Sequence, residues 1–165
     1  TQGLLKLANI PFVGPSVLGS AVAMDKDIAK CLLKNAGIQV APGKTLRKYE
    51  ICNIQEILSD LGTPLFIKPA NCGSSVGVSK ANTSEELEKA IIKAFSYDQK
   101  ILIESAIVGR EIECAVLGNM DSLKASRCGE VLPQGDHEFY DYEAKYIDAE
   151  GAGIEIPASI TPEEE

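Results

Sequence analysis

Lys68 closes the apolar run Leu65-Phe66-Ile67 and is followed by Pro69-Ala70-Asn71-Cys72 and then Gly73-Ser74-Ser75-Val76-Gly77. A lysine beside a glycine- and serine-rich turn offers a mobile positive charge and backbone N–H groups, which are what a chain of phosphates requires. The loop is not a Walker A sequence. No Gly-Lys-Ser/Thr closes it, and residues 76–79 read as a second strand rather than a helix. Two strands joined by a flexible loop suggest a flap that folds over a nucleotide. On this segment alone, a plain hairpin with a snorkelling lysine stands evenly beside a phosphate site.

Two further segments carry groups that could do chemistry. The apolar run Ile101-Leu102-Ile103 ends in Glu104 and leads into Ser105-Ala106-Ile107. A strand end opening into uncommitted backbone offers donors and acceptors to a planar base. A glutamate just beyond it, Glu111, can accept hydrogen bonds from ribose hydroxyls. If Ile112, Cys114 and Val116 share one strand face, Glu111 and Glu113 lie on the other, and on position alone a solvent-facing side is the favoured reading for both. The second segment, residues 129–153, is long for a connection. It holds Phe139, Tyr140, Tyr142 and Tyr146, four of the nine aromatic residues, so it should have something to pack against. Lys145 beside Tyr146 makes a lid over a phosphate the functional reading, with a docked surface loop as the plain one. His137, the single histidine, is given no role.

The elements that must position these groups follow from periodicity and punctuation. Ser20 can cap a helix to about residue 35 that Gly37 ends, with Met24, Ile28, Cys31 and Leu32 on one face and Lys26, Lys30 and Lys34 nearer the other. A strand region over 38–46 is broken by Pro42-Gly43, and a helix over 51–61 is stopped by Gly62 and Pro64. Thr83-Ser84-Glu85-Glu86 is a capping box for a helix to about Phe95. Strands are expected over 100–104, 110–117, 123–131 and 153–157. Helices and strands do not alternate as βαβ units, so the fold class is α+β, mixed but mostly antiparallel, with flanking helices.

Composition excludes several functions. The 165 residues carry a formal net charge of −8, which speaks against a broad grip on nucleic acid. No apolar run in these residues is long enough to span a bilayer, and neither a membrane span nor a secretory signal is expected. The five cysteines (31, 52, 72, 114 and 128) are odd in number and lack metal-ligand spacing, as expected for reduced cytoplasmic thiols. Cys72 is expected to be accessible and the other four to serve as small apolar side chains. The chain opens on Thr1 with what reads as the end of a helix, and Thr161-Pro162 reads as the start of another, so a fragment is expected.

Ala23-Met24-Asp25-Lys26, Phe66-Ile67-Lys68-Pro69, Gly73-Ser74-Ser75-Val76-Gly77, Gly109-Arg110-Glu111-Ile112-Glu113 and the run from Phe139 to Tyr146 occur in this order along the chain. Together they resemble the D-alanine–D-alanine ligases of the ATP-grasp superfamily, over essentially the whole chain. The resemblance implies a tail of an amino-terminal domain (1–14), a central ATP-grasp domain (15–108) and the beginning of a carboxy-terminal domain (109–165) that includes the lid (129–153). In that family ATP lies between the last two domains.

By resemblance, Lys26 and Lys68 contact the phosphates of ATP, and the loop of Gly73, Ser74, Ser75 and Val76 folds over them. Glu104 and the backbone of Ser105 and Ile107 edge the adenine, Glu111 holds the ribose, and Lys145 reaches the phosphates. Ser74 and Tyr146 close on each other over the D-alanine site. Ser105-Ala106 departs from the Lys-Trp of some members. The implied reaction joins two D-alanines through an acyl phosphate, for peptidoglycan precursors. It needs Mg2+, whose ligands are expected beyond residue 165, so the 165 residues alone are expected to be inactive. The implied full-length protein is a cytoplasmic homodimer that binds ATP and D-alanine, with no nucleic-acid or membrane partner. Another ATP-grasp carboxylate–amine ligase, including a D-alanine–D-serine type, stands as the alternative, as does a nucleotide-binding module without chemistry.

Overall fold

The computed structural model describes residues 1–119, 121–133, 142, 146–148 and 151–164. It divides into two compact units, Thr1–Ile107 and Val108–Glu165.

The first unit contains α1 (Gln2–Leu7), α2 (Val17–Met24), α3 (Lys26–Asn35), β1 (Gly43–Arg47), α4 (Ile54–Leu61), β2 (Leu65–Pro69), β3 (Ser79–Ala81), α5 (Ser84–Ala94) and β4 (Lys100–Ser105). Its four strands form an antiparallel sheet in the order β1-β4-β2-β3. Alternation along β2 and β4 sorts the side chains to two faces. Leu65, Ile67, Ile101 and Ile103 face α4 and α5, where Ile57, Leu87, Ala90, Ile91 and Ala94 complete the core. Each large side chain fully removed from water there contributes about 1.5–3 kcal/mol. The opposite face carries Phe66 and Lys68 from β2 and Lys100, Leu102 and Glu104 from β4. The core thereby fixes which way the charged groups point.

The helix ends follow from side-chain capping. Thr83 accepts from the Glu86 N–H, while Glu86 accepts from Asn82, so the expected capping box of α5 is present. Asn53 caps α4, which begins three residues later than expected and ends at Gly62 with φ +69°. The single helix expected from Ser20 to residue 35 is two helices. Ser16, not Ser20, caps α2, and Asp25 adopts an extended conformation between α2 and α3. The Asp25 carboxylate accepts from the N–H groups of Asp27 and Ile28, so it stops one helix and starts the next.

The second unit contains β5 (Glu111–Glu113), β6 (Val116–Leu117), β7 (Lys124–Ala125), β8 (Gly129–Pro133) and β9 (Ala152–Glu155). β5, β8 and β9 form one antiparallel sheet, and β6 and β7 form a separate pair. The strands expected over 110–117 and 123–131 are each divided. The Ser126 hydroxyl accepts from the Ala115 N–H and donates to the Arg127 carbonyl, so a side chain takes the place of a ladder rung. The Arg110 guanidinium grips both carboxylate oxygens of the buried Glu130, with Nε to Oε1 at 2.7 Å. All of β5 is exposed within this unit, Ile112 included, so the expected inward face is absent there.

Candidate functional site

Lys68 and Glu104 come from neighbouring strands and share a sheet face, because Glu104 pairs with Phe66 and Lys68 with Leu102. Lys68 Nζ lies 2.7 Å from Glu104 Oε2 and 5.5 Å from the centre of the Phe66 ring. Glu104 Oε1 accepts from Lys30, whose ammonium also donates to the Ala41 carbonyl at 2.8 Å. The buried carboxylate is therefore held by two lysines. Burial alone would raise its pKa, but the charge of Lys68 and the hydrogen bonds of both lysines outweigh it and hold Glu104 below the ordinary carboxylate value.

Gly43 on β1 makes room for this arrangement. A Cβ there would stand 2.6 Å from the Ile103 carbonyl oxygen and 3.1 Å from Glu104 Cγ. Lys30 was not singled out from the sequence as a site residue. The available signal was its spacing of four from Lys26, which puts both on one helix face.

Lys26, the first residue of α3, reaches the root of the glycine loop. Its ammonium donates to the carbonyls of Pro69 (3.1 Å), Ala70 (3.4 Å) and Cys72, and its own N–H donates to Ala70. Burial pushes this lysine below its ordinary pKa, and the charge of Lys68 adds to that. The start of α3 is fixed from β4, where the buried Lys100 ammonium binds both oxygens of Asp25 at 2.8 and 2.7 Å and Asp27 at 3.2 Å. Neither Lys100 nor Asp98 is marked out by a motif in the sequence. Asp98 accepts from the backbone and side chain of Asn71 with one oxygen and from the N–H groups of Gln99 and Lys100 with the other.

The loop itself is two consecutive turns. The Val76 N–H donates to the Gly73 carbonyl and the Val78 N–H to the Ser75 carbonyl, with positive φ at Ser74 (53°), Ser75 (59°) and Gly77 (73°). Positive φ at both central residues is the primed-turn pattern of tight hairpins. The Val76 amide, expected near a phosphate, is committed inside the loop. The second strand begins at Ser79 rather than Val76.

Along the end of β4, the Ser105 N–H donates to Pro42 and the Ala106 N–H to Pro64, while the Ser105 hydroxyl donates to Leu61. The Ile107 N–H meets no acceptor among the described residues. Of the two backbone positions expected at a base edge, Ile107 thus has its donor available, and Ser105 has already used its own.

Glu111 and Tyr146 belong to the second unit. Glu111 lies exposed on β5 opposite Val131. The Tyr146 ring packs on Tyr142, with centroids 5.1 Å apart and planes tilted by 48°. Lys145, Phe139 and Tyr140 lie outside the described residues, as does most of the segment read as a lid. Among the cysteines, Cys128 is buried and Cys52 and Cys72 are half-buried, but Cys31 and Cys114 are exposed, which corrects the expectation that these two serve as small apolar side chains. Cys31 lies on the expected apolar face of α3, none of whose residues is buried.

Residues 32–165 match the family described as "D-ala D-ala ligase C-terminus". The chain belongs to that ligase family. It is 62% identical to the D-alanine–D-alanine ligase of Shouchella clausii over 161 residues, which are 96% of this chain and 43% of the relative. Among solved structures it is similar to D-alanyl-alanine synthetase A from Vibrio cholerae, with 30% identity, a TM-score of 0.83, and coverage of 98% of this chain and 49% of that one. It also resembles the VanG D-Ala:D-Ser ligase from Enterococcus faecalis, with 38% identity, a TM-score of 0.77, and coverage of 98% and 46%. The mixed helical and antiparallel architecture is thus the ATP-grasp fold of D-Ala–D-Ala ligases, and the chain spans less than half the length of these relatives. No helix among the described residues is long and apolar enough to cross a membrane.

Proposed function

We propose that the intact protein joins two D-alanines into D-alanyl-D-alanine with hydrolysis of ATP, supplying the dipeptide for peptidoglycan precursors. The observation that carries this reading is the Lys68–Glu104 pair beside the Lys26-held loop, in a chain of this family. Lys26 and Lys68 neutralise the phosphates, and the loop of Gly73, Ser74, Ser75 and Val76 covers them. Glu104, kept ionised, accepts from the adenine amino group, beside Ser105 and the Ile107 N–H. Glu111 takes the ribose hydroxyls and Lys145 adds a further charge. Ser74 and Tyr146 serve the D-alanine site.

The carboxylate of the first D-alanine attacks the γ-phosphorus and releases ADP. The amine of the second then attacks the acyl phosphate and releases phosphate. Positioning and charge neutralisation carry such a reaction. Mg2+ would further neutralise the phosphates, but the described residues contain no group of three or more His, Cys, Asp or Glu suited to hold it. The domain boundary is placed at about residue 108, and the intact enzyme is assigned to the cytoplasm as a homodimer. The likeness to a D-Ala:D-Ser ligase favours D-serine as the second reading for the second substrate.

Phosphate release from ATP by the intact protein tests this, with D-alanine alone or with D-serine or D-lactate added. Release with D-alanine alone is expected, falling about 10- to 100-fold in Lys68→Ala as a charge-assisted hydrogen bond is lost. Release only when D-serine is present would move the assignment to the second reading, and none with any acceptor would refute both.

A further inference from the structure

Glu104 has two cationic partners of unequal freedom. Lys30 is clamped between two acceptors, the Glu104 carboxylate and the Ala41 carbonyl, with its side chain 19% exposed on α3. Lys68 is more open at 31% exposed and stands on the strand that leads into the glycine loop. An arriving phosphate chain competes for the looser lysine. If Lys68 turns to phosphate, Glu104 would be a buried carboxylate losing a counter-ion, a costly state unless another cation remains.

We infer that Lys30 is a positioning residue for nucleotide choice. It stays on Glu104 Oε1 when Lys68 leaves, and so keeps the carboxylate ionised with Oε2 directed outward as an acceptor. An acceptor-only group takes the exocyclic amino group of adenine and opposes the carbonyl oxygen that guanine presents at the same place. Lys30 selects adenine without touching the nucleotide. This rests on the ATP reading given above.

The charged groups around Glu104 are Lys26 and Lys30 from α3 and Lys68 from β2, while Asp27, Lys34 and Lys44 line the same small cleft. Removing Lys30 leaves Lys68 as the close partner, and a carboxyl with one counter-ion protonates more readily than one with two.

The experiment compares wild type, Lys30→Met and Lys30→Arg in the intact protein, with folding checked by thermal melts. Calorimetry measures ATP and GTP binding. Separately, carbon NMR follows the Glu104 carboxyl through a pH titration without nucleotide, the signal being assigned from its loss in Glu104→Gln. Lys30→Met is expected to weaken ATP binding about tenfold and to narrow the preference over GTP, while Lys30→Arg restores both. The Glu104 signal should titrate at higher pH in Lys30→Met than in wild type. An unchanged titration together with unchanged ATP-to-GTP preference overturns the inference. Wild type that binds no ATP would instead sink the underlying ATP reading, while the carboxyl titration still decides whether Lys30 governs Glu104.

Discussion

Gly77 joins two demands at one position, and their costs can be separated. Its φ is +73°, and an added Cβ would stand 2.8 Å from Pro69 Cγ and 2.8 Å from Tyr97 Cδ2. Placing an L-residue in the left-handed region costs about 1–2 kcal/mol. Forcing a methyl group into occupied space costs about 1–3 kcal/mol. Gly77→Ala should therefore destabilise by about 2–5 kcal/mol, the sum of those two ranges. Tyr97→Ala removes one of the two obstructing groups but leaves both the backbone strain and Pro69. A double-mutant cycle, read from urea unfolding of the intact protein, should show the alanine at 77 costing about 0.5–1.5 kcal/mol less when Tyr97 is truncated, roughly half of the steric part. Equal costs in the two backgrounds would refute the claim that the loop is seated by close approach of Gly77 to the Tyr97 ring. A Gly77→Ala protein as stable as wild type would refute the backbone part as well.

Lys100→Met strips the cation from Asp25 and Asp27, whose side chains are only 20% and 22% exposed. Losing one partner of a buried pair costs about 3–5 kcal/mol, and partial access of water lowers this to about 2–3 kcal/mol. An unchanged urea midpoint would rule out the account of how α3 is anchored. Glu104 and Asp98 both have carboxyls held below their ordinary values of 4.5 and 3.8, against the upward push of burial, by Lys68 and Lys30 for the former and by backbone and side-chain N–H donors for the latter. The unfolded chain then binds protons at higher pH than the folded one. The stability these groups contribute is complete above the ordinary values and is lost as pH falls through the folded ones. The melting temperature should therefore drop from about pH 5 downward. A flat profile to pH 3 would contradict this.

Much of the first unit was legible because local and global signals agree there. The capping residues at 83–86 and the stop at Gly62 act within a few residues of themselves. The buried triplet Ile101-Leu102-Ile103 needs only apolar character to become a central strand. The order of Lys68, loop and second strand is legible in the sequence, but the second strand starts three residues later than expected because residues 73–78 close into turns. The helix break at Asp25 was hidden because apolar spacing continues across it. What stops α2 is a side chain capping the next helix and bound from a strand 75 residues later. Lys30 and Lys100 were hidden for the same reason, since their partners are distant in sequence and solvent-facing lysines look identical to them. In the second unit, Ser126 divides two runs of strand-forming residues by a side-chain hydrogen bond that composition does not encode.

The central claim is that a D-alanine carboxylate is activated by direct attack on the γ-phosphorus of ATP. Incubating the intact protein with ATP and D-alanine labelled with oxygen-18 in its carboxylate tests it most directly, by mass analysis of the released phosphate and the dipeptide. The account predicts one labelled oxygen in each phosphate released, with ADP as the nucleotide product and D-alanyl-D-alanine formed in equal amount. Dipeptide formed with unlabelled inorganic phosphate, or with AMP as the product, would contradict it.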